Sequence, residues 1–263
     1  MQTTFSHIAV ETRDAIATVT LANPNRRNAL SLEAMTELVA AFEGIGADRD
    51  VKVVVLRAHG PAFSAGHDLR ELRAAGDEAD VPRLRAIFDA CVRMMTGVQS
   101  IPQPVIAEVA GIATAAGCQL VASCDLAIAS SDATFATPGV KIGLFCTTPM
   151  VPLSRAIGRK RAMEMLLTGE PVDAATAEAW GLVNRVVPQG ELAAATRALA
   201  ERIAASSAFV VGLGKAAFYA QIDLDQRQAY AYAKEIMSMN ALDADAREGI
   251  AAFLERRLPT WKH

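Results

Sequence analysis

The sequence predicts an α/β protein with a parallel sheet and a helical C-terminal region. Strand-like apolar runs alternate with helical runs through the first half of the chain, only the first two strands are close enough to form a hairpin, and helices dominate after about residue 153. Strands that alternate with helices are joined by crossovers, which makes neighbouring strands parallel.

The first predicted unit is a hairpin followed by a helix. Residues 8–12 and 15–21 alternate apolar and polar side chains around Arg13-Asp14, as half-buried strands do. Residues 23–25 end this unit as a turn. Ser31 is a favourable N-cap for a helix with one apolar face, formed by Met35, Leu38, Val39, Phe42 and Ile45.

The later elements follow from the same patterns. Strands are predicted at residues 51–56, 105–109 and 126–129, with a helix over 81–98. Beyond residue 153 we expect one strand at 182–187 and amphipathic helices at 159–167, 174–180, 191–205, 212–220, 226–239 and 244–257. The C-terminal helices either close the same core or bury their apolar faces against another subunit.

Composition excludes several classes of function. The 263 residues are 52% hydrophobic and 21% charged, which is typical of a globular chain, and the net charge of −3 argues against a nucleic-acid partner. No apolar run is long enough for a membrane helix. Residues 1–13 lack a signal or transit pattern, so we expect a cytoplasmic protein. Cys91, Cys118, Cys124 and Cys146 form no C-x-x-C pair, which predicts reduced thiols and no metal site.

Two short segments indicate the chemistry. Residues 62–69 and 111–120 each form a small-residue turn between a strand-like run and a helix, so each presents backbone N–H groups at a helix N-terminus. Two such turns facing one another would form an oxyanion hole for a thioester enolate.

These features resemble the crotonase family, the enoyl-CoA hydratase and isomerase superfamily. Within it, the runs 113–120, 135–140 and 143–146 resemble the enoyl-CoA hydratase domain-containing protein 3 subgroup. The resemblance covers essentially the whole chain. It implies a spiral of ββα units over residues 1–200, with the CoA and oxyanion site, and a helical trimerisation region over 201–263. It also implies an acyl-CoA thioester as ligand, no cofactor beyond the CoA of the substrate, and a homotrimer or a dimer of trimers.

The resemblance also assigns site residues. The oxyanion donors would be the backbone N–H groups of His67 and Ala116, while Gln119 and Gly139 stand where hydratases carry two glutamates. Arginines near the CoA phosphates would be contacts, although solvated surface arginines are an equal alternative. The implied substrate-binding set is Arg26, Arg27, Ser64, Ala65, Arg70, Cys146, Phe253 and Arg256, with Arg256 reaching the CoA of a neighbouring subunit.

The missing glutamates limit the reaction. An amide cannot accept and release a proton at neutral pH, and glycine supplies no side chain, so we expect very slow hydration. His67, Glu108 and Cys146 are the candidate substitutes, but a packed histidine, a supporting carboxylate and a buried thiol are the favoured interpretations. Lys141 is either a surface lysine or a contact to a charged acyl group.

Three functions stay open from sequence. The leading hypothesis is a lyase-type acyl-CoA enzyme, enoyl-CoA hydratase-like, that stabilises an enolate without the glutamate pair. A malonyl-type CoA decarboxylase is the second, because loss of CO₂ generates the enolate without a base, and residues 64–68 resemble those of methylmalonyl-CoA decarboxylases. The third is a non-catalytic acyl-CoA-binding homologue.

Overall fold

Two sheets organise the computed structural model, which describes residues 5–262. Residues 1–4 and 263 lie outside the described residues, and with them the start of the segment used to predict location and the outer ends of the two predicted regions. The large sheet has the order β1-β2-β3-β5-β7-β10, and the small sheet has the order β4-β6-β8-β9. The strands are β1 Ile8–Arg13, β2 Ile16–Leu21, β3 Val53–Ala58, β4 Ala62–Ser64, β5 Val105–Val109, β6 Ile112–Thr114, β7 Leu126–Ser130, β8 Thr134–Ala136, β9 Val172–Asp173 and β10 Arg185–Val187.

Strand pairing confirms the predicted α/β class with a spiral of ββα units. The strands β1 and β2 form an antiparallel hairpin, and every further pair in the large sheet is parallel. The strands β3, β5 and β7 of the large sheet are each followed by a short strand of the small sheet, β4, β6 and β8. Each turn of the spiral therefore adds one strand to each sheet before a helix returns the chain.

Helices cover both faces of the large sheet. Alternate residues of β3 point to opposite sides: Val54 and Leu56 join the main core, and Val53 and Val55 pack with Ala200. The helices are α1 Leu32–Ala47, α2 Leu69–Asp77, α3 Val81–Ser100, α4 Ala116–Ser123, α5 Met150–Ala156, α6 Arg159–Thr168, α7 Ala174–Trp180, α8 Leu192–Ala204, α9 Ala208–Gln221, α10 Gln226–Asn240 and α11 Ala244–Glu255.

The N-terminal predictions are confirmed, except that the hairpin turn lies one residue later than predicted. The side chain of Ser31 accepts a hydrogen bond from the amide of Ala34, so it caps α1 as expected. In the hairpin, Arg13 pairs with Ile16, so the turn residues are Asp14 and Ala15 rather than Arg13 and Asp14. Both turn residues have positive φ, 51° and 62°, as a two-residue hairpin with right-handed strand twist requires.

The sequence patterns missed the small sheet and one helix. The strands of the small sheet contain only two or three residues each, which is too short for a period-2 pattern to be recognised. The short helix α5 was missed, and α2 was expected only as the helix that follows the first turn, without bounds. The omission matters, because β4 and β6 are the strands that carry the two turns into the site.

The C-terminal helices differ in how far they pack on the core. On α9, Lys215 is buried and forms an ion pair with Asp125 (Nζ–Oδ2 2.7 Å), which joins this helix to the core. No residue of α10 is buried, and Tyr230 and Phe253 are 71% and 82% exposed. The trimerisation role of residues 201–263 stays a prediction. Within the described residues, no single helix has the length and apolar character needed to cross a membrane; the bent pair Gln189–Ala204 and Ala208–Gln221 meets those criteria only in combination.

Candidate active site

The two turns predicted to carry the chemistry lie against each other. The first joins β4 to α2, and the second joins β6 to α4. A Cβ atom on Gly66 would lie 3.0 Å from the backbone nitrogen of Ala116, and one on Gly117 would collide with the carbonyl oxygen of Ser64. The hydroxyl of Thr114 donates to the carbonyl of Ala65 across the junction (3.1 Å). Glycine at both positions therefore allows the two backbones to touch.

Among the described residues, no hydrogen bond uses the backbone N–H of His67 or of Ala116. A parallel bridge joins Leu30 to His67, in which the amide of Leu30 donates to the carbonyl of Gly66 and the amide of Asp68 donates to the carbonyl of Leu30. Because these bonds use the neighbours of His67, its own N–H points to the opposite side. Ala116 is the first residue of α4, where an N–H has no partner in its own helix.

The second turn contains a strained residue. Ala115, which precedes α4, has φ 49° and ψ −119°, a conformation that L-residues rarely adopt. Its amide donates to the carbonyl of Ala136 (2.9 Å), which holds the turn against β8. Ala116 itself has no positive φ, so its side chain causes no backbone strain at that position. Strain of this kind persists where the surrounding structure enforces it, and it is concentrated at functional sites.

A cavity of about 260 Å³ lies beside the two turns. Ala65, His67 and Ala116 contribute to its wall, and so do Gly139 and Cys146. Its apolar wall includes large side chains that sequence analysis did not select, namely Leu69, Leu72, Phe88, Ile142, Leu144 and Phe145. Leu69 and Leu72 have helical spacing directly after the first turn, a signal that would have found them. Phe88 comes from α3, which only the tertiary structure brings to the site.

The polar groups of the cavity contain no carboxylate. Among the described residues that line it, the side chains with polar or ionisable groups are His67, Thr114, Lys141, Cys146, Thr147 and Thr148. Lys141 forms an exposed ion pair with Glu170 (Nζ–Oε1 2.7 Å), so its charge is already partnered at the cavity edge. The site is therefore apolar and lacks a strong base among its described lining residues.

The imidazole of His67 packs against an aromatic ring and forms no hydrogen bond within the described residues. Its ring meets the ring of Phe88 edge to face at 5.5 Å, and both ring nitrogens are buried without a hydrogen-bond partner. Burial lowers the pKa of His67, an effect that the nearby carbonyl of Leu30 partly offsets. Burial therefore favours the uncharged form of the side chain.

Gln119 faces the protein interior. It is 4% exposed, and its Oε1 lies 3.8 Å from the Sγ of Cys91 on α3. It is absent from the described lining of the cavity. Burial raises the pKa of the Cys91 thiol to about 11, so this neighbour is not a base at neutral pH.

Gly139 is enclosed by the segment that follows it. A Cβ atom there would collide with the carbonyl oxygen of Leu144 and lie 2.8 Å from the Sγ of Cys146. The amide of Leu144 donates to the carbonyl of Gly139 (2.9 Å), which fixes this close approach. A glutamate therefore cannot be placed at position 139 unless residues 144–146 move.

The other candidate proton-transfer groups are poorly suited to that role. Burial raises the pKa of the Cys146 thiol, which keeps it protonated. Burial also raises the pKa of Glu108, whose carboxyl interacts with Thr196 and Arg57. Glu108 is absent from the described cavity lining, in agreement with a supporting role.

Of the expected substrate contacts, Ala65 and Cys146 line the cavity and the other six lie outside its described lining. Arg26 forms an ion pair with Asp68, the N-cap of α2 (Nη1–Oδ2 3.1 Å), while Arg27 and Arg70 are exposed. The hydroxyl of Ser64 is buried and donates to the carbonyl of Asn28. Phe253 and Arg256, at the end of α11, are exposed. These roles stay predictions.

One group of potential metal ligands occurs within residues 5–262. His7, Glu33 and Glu37 each offer a ligand atom, all within 4.8 Å of one another. The carboxylate of Glu37 already accepts the backbone N–H groups of Ser6 and His7 at 2.8 Å each. None of the three lines the cavity.

Comparisons with known proteins identify the family of the chain. The family model described as enoyl-CoA hydratase/isomerase matches residues 11–263. The mouse protein named enoyl-CoA hydratase domain-containing protein 3, mitochondrial, is 47% identical over 252 residues, 95% of this chain and 83% of the relative. A crystal structure of an enoyl-CoA hydratase from Mycobacterium smegmatis has a TM-score of 0.94 at 47% identity, covering 98% of this chain and 100% of its own. That of human enoyl-CoA hydratase domain-containing protein 3 has a TM-score of 0.93 at 45% identity, covering 97% and 100%.

The comparisons confirm the predicted subgroup and overturn the predicted location. Relatives from mouse, rat and human are each named as mitochondrial proteins, which contradicts the expectation of a cytoplasmic protein. That expectation depended on the composition of residues 1–13 alone.

Proposed function

Because the chain belongs to the enoyl-CoA hydratase/isomerase family, we propose that it binds an acyl-CoA thioester and stabilises its enolate with two backbone N–H groups, those of His67 and Ala116. The observation that carries this proposal is the contact between the two turns at the wall of an apolar cavity. Donors fixed in such surroundings need no reorganisation as negative charge develops on the carbonyl oxygen.

The proposed site acts without the glutamate pair of the hydratases. The amide of Gln119 does not act as a general acid or base at neutral pH, and Gly139 has no room for a side chain. General acid–base catalysis contributes about 10²–10⁴-fold per group, so hydration of an enoyl thioester should be very slow. The reaction that suits this site is one in which the enolate forms without removal of a proton.

Decarboxylation of a malonyl-type CoA meets that requirement. The bond between Cα and the carboxylate breaks, its electron pair enters the enolate, CO₂ leaves, and Cα later takes a proton from water. The apolar wall around His67 favours this reaction, because loss of CO₂ disperses a charge that an apolar site solvates poorly. This is the second function we propose for the same oxyanion donors.

A direct assay distinguishes these functions. Malonyl-, methylmalonyl- and crotonyl-CoA are incubated with the protein, and the CoA products are identified by mass spectrometry. We expect decarboxylated product and almost no hydration, and we expect His67→Pro, which lacks the N–H, to abolish turnover. If thioesters bind but none of the three is converted, the chain is a non-catalytic acyl-CoA-binding homologue.

The proposed assembly is a homotrimer or a dimer of trimers. Exposed apolar side chains on α10 and α11, including Met237, Phe253 and Leu254, support burial against another copy. In that assembly, Arg256 would contact the CoA of a neighbouring subunit, and Arg26, Arg27 and Arg70 would contact CoA in their own. Light scattering coupled to size exclusion gives the copy number directly.

A further inference from the structure

We propose that Asn28 is a positioning residue that directs the amide N–H of His67 toward the cavity. The proposal rests on the function proposed above, in which this N–H polarises the thioester carbonyl. Asn28 does not line the cavity, so it would act only through the residues that it holds.

The side chain of Asn28 fixes the entry to the first turn. It is 3% exposed, and its Nδ2 donates to the carbonyls of His59 (2.9 Å) and Ala62 (2.8 Å). Its Oδ1 accepts the amide of Asn23 (2.9 Å). One buried amide group therefore joins both sides of the loop that leads into β4, at His59 and Ala62, to the backbone of Asn23.

The main chain of Asn28 fixes the exit. Its carbonyl accepts the hydroxyl of Ser64 (2.8 Å), and the same hydroxyl accepts the amide of Gly66 (3.2 Å). The carbonyl of Arg27 accepts the amide of Ala65 (2.9 Å). The next contact along the chain is the parallel bridge between Leu30 and His67. Residues 27–30 thus hold residues 64–68 from one side, which leaves the N–H of His67 turned to the other.

Backbone conformation gives a second, independent indication. Arg27 and Asn28 are consecutive non-glycine residues with φ of 50° and 51°. The left-handed conformation is unfavourable for L-residues, and asparagine tolerates it better than most. Asparagine is the side chain that combines this tolerance with two donors and one acceptor. Such strain is kept where the surroundings enforce it.

A chromophoric thioester tests the proposal without requiring turnover. The probe is 4-dimethylaminocinnamoyl-CoA, whose absorbance shifts to the red when its carbonyl is polarised. It is measured at saturating protein concentration, so that a change in affinity does not alter the band position. Asn28→Gly removes the side chain but keeps the backbone conformation accessible, and Ser64→Ala removes the hydroxyl that links the carbonyl of Asn28 to the amide of Gly66.

Gln103→Ala provides the matched control. Gln103 is also buried, at 5% exposure, and its Nε2 donates to the backbone carbonyls of Ile45, Asp48 and Val51. Its loss should reduce stability as much as the loss of Asn28 does, but its backbone partners belong to neither of the two turns. A merely structural role for Asn28 would give the two variants the same red shift.

We expect the wild type and Gln103→Ala to show the full red shift, Asn28→Gly to lose most of it, and Ser64→Ala to lose part. A folded Asn28→Gly variant with the full red shift would overturn the positioning role. If Asn28→Gly does not fold, a full red shift in Ser64→Ala overturns it instead. If the wild type binds the probe with no red shift, the proposed oxyanion hole itself fails.

Discussion

At the scale of single residues, the packing around Gly139 leaves no space for the glutamate that hydratases carry at this position. The position is backed by the carbonyl of Leu144 and the thiol of Cys146. A side chain at position 139 therefore requires residues 144–146 to move.

Substitution of Gly139 by alanine measures this packing. We expect Gly139→Ala to lower the free energy of unfolding by about 1–3 kcal/mol, since the added methyl group forces residues 144–146 to move. Gly76, in α2, has nothing within 4 Å of its Cβ position, so Gly76→Ala should stabilise the protein by up to about 1 kcal/mol. Urea unfolding of both variants provides the measurement, and equal stabilities would contradict the proposed close approach.

His67 supplies a pH dependence of stability. Burial lowers its pKa in the folded state, so the unfolded chain binds more protons as the pH falls. The contribution of the neutral ring to stability is fully present above the pKa of histidine in the unfolded chain, about 6.5. It is lost as the pH falls through the lower pKa of His67 in the folded state. We expect the loss of unfolding free energy between pH 7 and pH 5 to be smaller in His67→Gln than in the wild type. An equal loss of unfolding free energy in the two proteins would mean that the ring of His67 is solvated.

At the scale of elements, the turn of the first hairpin contains an alanine in a backbone conformation that favours glycine. Ala15 has φ 62°, where an L-side chain is strained and glycine is not. We expect Ala15→Gly to stabilise the protein by up to about 1 kcal/mol. Thermal unfolding measures the change.

The control for that substitution is the same change inside a strand. Ala9 is exposed on β1, so Ala9→Gly removes β-strand preference without opening the core, and we expect a loss of about 0.5–1 kcal/mol. Opposite signs for the two variants would confirm that backbone conformation decides the effect. The same sign for both would contradict it.

At the scale of the whole molecule, one buried ion pair joins the C-terminal helices to the spiral. The Nζ of Lys215 donates to the carbonyls of Val98 and Gln103 and to the carboxylate of Asp125. The carboxylate also accepts the hydroxyl of Tyr219 and the amide of Val105. With each polar group satisfied, α9 is held in one position against the core.

Removal of the cation should therefore be costly. We expect Lys215→Met to lower the free energy of unfolding by about 3–5 kcal/mol, because Asp125 is left buried without its partner. Arg73→Met breaks an exposed ion pair with Asp77 and should cost about 1 kcal/mol or less. The comparison is made by urea unfolding, and similar losses would show that the buried pair is not an anchor.

Local chemistry determined what could be read from the sequence. The hairpin, the Ser31 cap and the parallel strands follow from hydrophobic periodicity and capping preferences, which act over a few residues. The two turns were predictable for the same reason, since small residues and a following helix define them locally. Family resemblance added the ββα spiral and the positions of Gln119 and Gly139.

Only the tertiary structure decided how these parts meet. The short strands of the small sheet are stabilised by partners distant in sequence, so no local pattern indicates them. The contact of Gly66 with Ala116, the enclosure of Gly139 by Leu144 and the packing of His67 on Phe88 likewise depend on backbones brought together by folding. A sequence specifies which residues are available, whereas the distances between them depend on the packing of the whole chain.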